Sequence, residues 1–183
     1  VLAVPYFNIV AQTNENTVVT EYEPSTARSE SYQSEAALEA EFIKLLSGEN
    51  GQGGLGYEYL KIHQESDLIA NLKNRLEILN DYQFSDAEWD RFFHESLANQ
   101  NEGIVEKTRK IQEDNVQVLK RDDGSTKNIT IIDKKNIHNN FLQVINQYVI
   151  GTADGAKHDN RYDVTILVNG LPLVHVELKR RGV

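Results

Sequence analysis

The sequence predicts an α/β (α+β) fold, a mixed β-sheet from the second half with flanking helices from residues 34–113 packed over it. Three observations predict it. Apolar residues at helical spacing fill residues 34–113. Short apolar runs bounded by turn residues fill the remainder. The chain has 183 residues and 39 % apolar content, about one domain's worth with enough material for a core.

Residues 1–33 are polar, carry Pro5 and Pro24, and read as an irregular N-terminal arm with one strand near Tyr6–Val10. Ser34 can cap a helix through about Ser47, with Leu38, Phe42, Leu45 and Leu46 on one stripe. Gly48 and the run Gly51-Gln52-Gly53-Gly54-Leu55-Gly56 end it. That run matches the dinucleotide pattern, but a phosphate-binding loop follows a strand and opens a helix. Here a helix precedes it and a strand-like Tyr57–Ile62 follows, so the glycines read as a flexible connector.

Ser66 is placed to cap Asp67–Leu79, with Leu68, Ile69, Leu72, Leu76 and Leu79 on one face. Ser85 and Glu88 form a capping box for a helix whose Trp89, Phe92, Phe93 and Leu97 make a core stripe. A helix around Gly103–Glu113 shows Lys107, Arg109 and Lys110 on what reads as a solvated face. Val116–Arg121 and Asn128–Asp133 flank Asp122-Asp123-Gly124-Ser125, a hairpin signal without the alternating carboxylates of a calcium loop. Phe141–Ile150 fits helix and strand alike by period.

Composition narrows the function classes. No cysteine is present, which excludes disulfides, thiolate metal sites and thiol nucleophiles and fits a reducing cytoplasm. No apolar run is long enough for a membrane-spanning helix. Val1–Phe7 lacks the basic region and cleavage site of a secretion signal. Methionine is absent even from position 1, as expected of a fragment or a processed chain. The net charge of −9 is unevenly spread: residues 1–100 carry a net of −11 and residues 101–183 a net of +2. A polyanion would therefore meet the second half. The five histidines (63, 94, 138, 158 and 175) show no metal-ligand spacing.

The chemistry concentrates in Arg161–Lys179, two apolar strands around Asn169-Gly170. Its apolar character predicts burial on both faces, into which the chain places Asp163, Glu177 and Lys179. Ionised groups are costly to bury unless paired or metal-bound. Glu177 and Lys179 are two apart and leave one face of a strand. Asp163 joins them only if the hairpin carries an odd offset. A three-residue Val168-Asn169-Gly170 turn supplies one, and so does a bulge elsewhere; perfect two-residue register points Asp163 away. Two carboxylates and an ammonium on one face suit Mg²⁺-assisted phosphodiester hydrolysis. They equally suit a structural Asp–Glu–Lys cluster.

The whole string Asp163–Lys179, with Val168-Asn169-Gly170-Leu171-Pro172-Leu173-Val174 inside it, resembles the nuclease signature of the type I restriction enzyme R (motor) subunit, in its N-terminal PD-(D/E)xK domain. Ser31-Tyr32-Gln33-Ser34-Glu35, Ser85–Trp89, Lys107–Lys110 and Ile132–Asn136 look like further landmarks of these subunits. The resemblance implies a restriction-endonuclease-like fold and reads Phe141–Ile150 as a strand. It implies Asp163 and Glu177 as Mg²⁺ ligands and Lys179 as the catalytic lysine, with Glu35, Glu39 or Glu41 as a candidate additional carboxylate. It also implies double-stranded DNA as substrate, with methyltransferase and specificity subunits as partners. The acidic first half would then be a docking or solubilising surface.

Tyr162 stands where the motif's name has proline. The family's Gln-x₃-Tyr helix and its ATP-using motor domains are expected beyond Val183, which makes the fold C-terminally incomplete and the fragment inactive alone. No G-x₄-G-K-[ST] occurs in this stretch, so ATP belongs to the missing motors. Lys157, Arg161, Arg180 and Arg181 bracket the motif as candidate phosphate contacts, and His175 as a residue lining the site. Two alternatives stay open: a stand-alone nuclease of the same fold, and a non-catalytic interaction module.

Overall fold

A computed structural model describes residues 6–12, 18–23, 34–49, 53–62, 64–150 and 160–179. The chain forms two compact units, Val1–Ser34 and Glu35–Val183. The first is more regular than its polar sequence suggests. Strands β1 (Tyr6–Gln12) and β2 (Val18–Glu23) pair antiparallel, with a register shift between Ile9 and Ala11.

The second unit is built on a four-stranded mixed sheet. Its strands are β3 (Glu58–Tyr59), β6 (Leu142–Ile150), β7 (Asn160–Val168) and β8 (Leu171–Val176), side by side in that order. β3 runs parallel to β6, and the other neighbours are antiparallel. α1 (Glu35–Ser47) precedes β3, and between β3 and β6 lie α2 (Glu65–Asn80), α3 (Asp86–Phe92), α4 (Ile104–Gln112) and the hairpin β4 (Val116–Lys120)–β5 (Thr126–Thr130), a separate two-stranded sheet. The first half therefore contributes a strand to the main sheet, β3, although it is shorter than the Tyr57–Ile62 run suggests.

Two of the helices cover the sheet. α1 lays Phe42, Ile43 and Leu46 against Val144, Val164, Ile166 and Val176 on one face. Leu45, expected in that stripe, is 60 % exposed, and Ile43 takes its place. Behind α1 the glycine run is no phosphate loop. The Leu55 and Tyr57 N–H groups donate to the Leu46 carbonyl at 3.0 Å and satisfy the free end of the helix.

α2 covers the other face, where Leu68 meets Ile145 and Leu167 and the Asn71 side-chain amide donates to Gln143 Oε1 at 2.9 Å. It begins two residues earlier than Ser66 implies, with Gln64 as its N-cap. Its Leu72 and Leu76 turn instead to a second core with Phe84, Phe92, Leu119, Ile129 and Ile131. The aromatic stripe on α3 is thus core, as its helical spacing predicts, and a π-helical turn, Phe93–Leu97, extends it.

The α3 capping box is present, and Glu88 does more than cap. Its buried carboxylate accepts from the Ser85 N–H, the Tyr82 hydroxyl and the Asp122 N–H, at 3.1, 2.9 and 3.1 Å, tying α3 to the β4–β5 turn. Burial pushes its pKa up, but these donors outweigh that and hold it below the ordinary carboxylate value. A depressed native pKa gives stability that is full above the unfolded pKa of about 4.5 and is lost as pH falls through the native value. Glu88→Ala, which strands the three donors, is expected to cost roughly 1–3 kcal/mol in urea unfolding at neutral pH. The penalty should shrink as the solution is acidified.

Candidate active site

The candidate site lies at the end of the β7–β8 hairpin. Its turn has two residues, Asn169 (φ 51°) and Gly170 (φ 84°), and Val168 pairs with Leu171. Both positive φ values mark a type I′ turn, not the three-residue turn that was one of the two expected solutions. That turn alone would point Asp163 away from Glu177. The register then shifts: Leu167 pairs with Pro172, but Ile166 pairs with Val174, so Leu173 is an extra residue in β8. Proline has no N–H to give to the ladder, and proline is accommodated at edge strands and bulges.

Beyond the bulge Val164 faces Val176, which puts Asp163 opposite Glu177 one step further. Val164, Val176 and Leu178 pack toward α1. By alternation Asp163, Glu177 and Lys179 share the other face. The offset that unites them is therefore present, and it sits at Leu173.

Each of the three groups has a partner at this end of the hairpin. Asp163 Oδ2 accepts the Leu178 N–H at 2.6 Å, which clips the end of β8 to β7. Lys179 Nζ stands 2.6 Å from Glu177 Oε1. The hydrogen bond to Glu177, with that carboxylate's charge, raises the Lys179 pKa above its ordinary value, and Glu35 and Asp163 add to the effect. Lys179 is thus an ammonium at neutral pH. Of the three α1 glutamates, Glu35 is the one whose charge reaches Lys179 in this way. Glu39 instead accepts from the Asn146 side chain at 2.6 Å, and Glu41 is exposed.

The environment departs from the expected burial on both faces. β8 is an edge strand, and the Lys179 and Glu177 side chains are 72 % and 64 % exposed. Exposed pairs contribute little to stability, so the Glu177–Lys179 pair adds little to holding the hairpin together. His175 bonds through Nδ1 to the Thr165 hydroxyl at 3.1 Å, and partial burial lowers its pKa. It is accounted for as a strand histidine.

The donor set matches the chemistry of a hard divalent cation. Carboxylate oxygens come from adjacent strands, and one oxygen of Asp163 is already engaged by Leu178. Among the described residues no group of three His, Asp or Glu side chains stands ready to hold a metal. Two carboxylates with water completing the shell is the habit of Mg²⁺. Lys157, Arg180, Arg181 and the Arg161 side chain lie outside the described residues.

The sequence reading overlooked Pro172, which breaks the register, and Asn169 as more than a turn former. Asn169 is buried, donating to the Ile131 carbonyl at 2.9 Å and accepting the Phe141 N–H at 2.8 Å. The landmark Asp133 also proves structural, accepting from the N–H groups of Lys135 and Asn136 at 3.0 and 2.9 Å.

Comparison with known proteins yields one family and several relatives. Residues 32–183 match the family model described as type I restriction enzyme R protein N terminus. The chain is 43 % identical over 175 residues to the type I restriction enzyme EcoprrI endonuclease subunit of Escherichia coli, covering 95 % of this chain and 53 % of the relative. It is 37 % identical over 157 residues to the SsaAORF53P endonuclease subunit of Staphylococcus saprophyticus, and 38 % over 156 residues to the SauMSSORF170P endonuclease subunit of Staphylococcus aureus. Those two alignments cover 83 % of this chain and 15 % of each relative. The chain thus spans about half the length of the first relative and a small part of the others.

Proposed function

Because the chain belongs to the family of type I restriction enzyme R protein N termini, we propose that it is the DNA-cleaving part of an ATP-dependent restriction system. The substrate is double-stranded, unmethylated foreign DNA, and the reaction is hydrolysis of its phosphodiester bonds with Mg²⁺. Translocation by ATP-using motor domains, and association with methyltransferase and specificity subunits in the cytoplasm, belong to the complete assembly. The observation that carries the reading is the Leu173 bulge, which sets Asp163 opposite Glu177 and leaves Lys179 on the same open face.

In this reading Asp163 and Glu177 hold the cation. A divalent ion there supplies charge that polarises the scissile phosphate and makes water easier to deprotonate. The Leu178 N–H fixes the Asp163 carboxylate before substrate arrives. Protonated Lys179 lies beside Glu177 and donates to the phosphate oxygens as negative charge builds on them.

The test uses the complete R subunit assembled with its partners on unmethylated circular DNA. Lys179→Ala is expected to lower cleavage by roughly 10²–10³-fold, the range for removing one charge-stabilising donor. ATP hydrolysis should be unchanged. Wild-type cleavage by that variant would overturn the proposal.

A further inference from the structure

We propose that the groove between α4 and β8 seats the DNA strand beside the scissile bond, with the Lys107 ammonium as its phosphate contact. The inference rests on the nuclease reading and adds the path of the strand. A cavity of about 410 Å³ opens there, lined among others by Ile104, Lys107 and Thr108 of α4 and by Pro172, Leu173 and His175 of β8. β8 leads straight out of this groove into the candidate site. His175, Glu177 and Lys179 fall on alternate positions, about 7 Å per step along an extended strand. That step is comparable to the spacing of neighbouring phosphates, so a strand with one phosphate at the site sets the next at the mouth of the groove.

The charges in the groove favour an anion. Glu102 on its wall is neutralised by Lys110 at 2.5 Å. Arg109, pointing elsewhere on α4, is paired with Glu113 at 3.6 Å. Lys107 is exposed and has no ion-pair partner among the described residues, so its charge is available to a ligand. Ile104 is 82 % exposed although it opens a helix, and with Pro172 and Leu173 it offers an apolar wall to sugar and base edges. The groove also belongs to residues 101–183, the half with a net positive charge.

Binding of a fluorescently labelled duplex to the chain at low salt tests this. Lys107→Ala is expected to weaken binding by roughly three- to tenfold and to reduce the slope of log K against log salt by about 0.9, one phosphate's worth. Lys107→Arg should restore both. No duplex binding by the wild-type chain, or binding and slope untouched by Lys107→Ala, would overturn the proposal. If Lys179→Ala still lowers cleavage as expected in that case, the nuclease reading stands without the groove; if Lys179→Ala cleaves normally, both fall. Self-association of the chain abolished by Ile104→Gln, with DNA binding unaffected by Lys107→Ala, would make the groove a protein interface and sink the proposal equally.

Discussion

Replacing Asp163 by Asn in the complete R subunit is expected to abolish DNA cleavage, by about 10³-fold or more, while ATP hydrolysis and complex assembly continue. Asparagine is the informative choice. Its side-chain oxygen can still accept the Leu178 N–H, the contact that Asp163 makes at 2.6 Å, so the end of β8 stays clipped to β7. What disappears is the negative charge facing Glu177 across the strands. A purely structural role would tolerate that exchange, because the hydrogen bond survives and the neighbouring Glu177–Lys179 pair is exposed. A metal-holding role would not, because a neutral amide is a far weaker partner for a hard cation. Cleavage, ATP hydrolysis and the urea midpoint of the variant, measured together, separate the two. Retained cleavage with an unchanged urea midpoint ends the nuclease assignment and favours the interaction module.

Gly170→Ala is expected to destabilise the fold strongly, by roughly 2–5 kcal/mol. Two costs combine. Gly170 sits at φ 84°, where any L side chain is strained, by about 1–2 kcal/mol. An added Cβ would also lie 2.6 Å from the Leu72 Cα and 3.0 Å from its nitrogen, the backbone of α2. Backbone in the middle of a helix does not yield as a side-chain tip does, so overpacking adds about 1–3 kcal/mol. Gly124→Ala is the control, since it shares a positive φ of 81° but meets nothing within 4 Å. The difference between their urea midpoints isolates the packing cost. Equal losses would mean that α2 does not press on the turn as described.

Local chemistry was legible wherever a short-range rule dominates. The capping box at Ser85 and Glu88 needs only three residues of spacing, and it is present. Asn169-Gly170 makes a hairpin because both residues accept positive φ, and it does. The apolar faces of α2 and α3 follow from helical period, and Leu68, Leu72, Leu76 and Phe92 are buried. Leu45 and Ile43 exchange places because both lie at the edge of the α1 stripe, and the sheet beneath decides which one is covered. Ser66 yields to Gln64, which caps α2 without a side-chain hydrogen bond, and Ser66 falls in the first turn. A cap rule sees only neighbours in sequence.

By itself, the amino-acid order determined which residues are candidates for the chemistry, that most of residues 34–113 are helical, and that Asn169-Gly170 turns the chain back on itself. These depend on local rotational preference and on side-chain period, which a linear string contains. Only the tertiary structure decided that the turn has two residues and that Leu173 bulges beyond it. It alone decided that β8 lies at the open edge of the sheet. Those facts set which face each charge leaves from and how much water it meets. Strand pairing is a contact between distant parts of the chain, and one extra residue reverses every side chain beyond it.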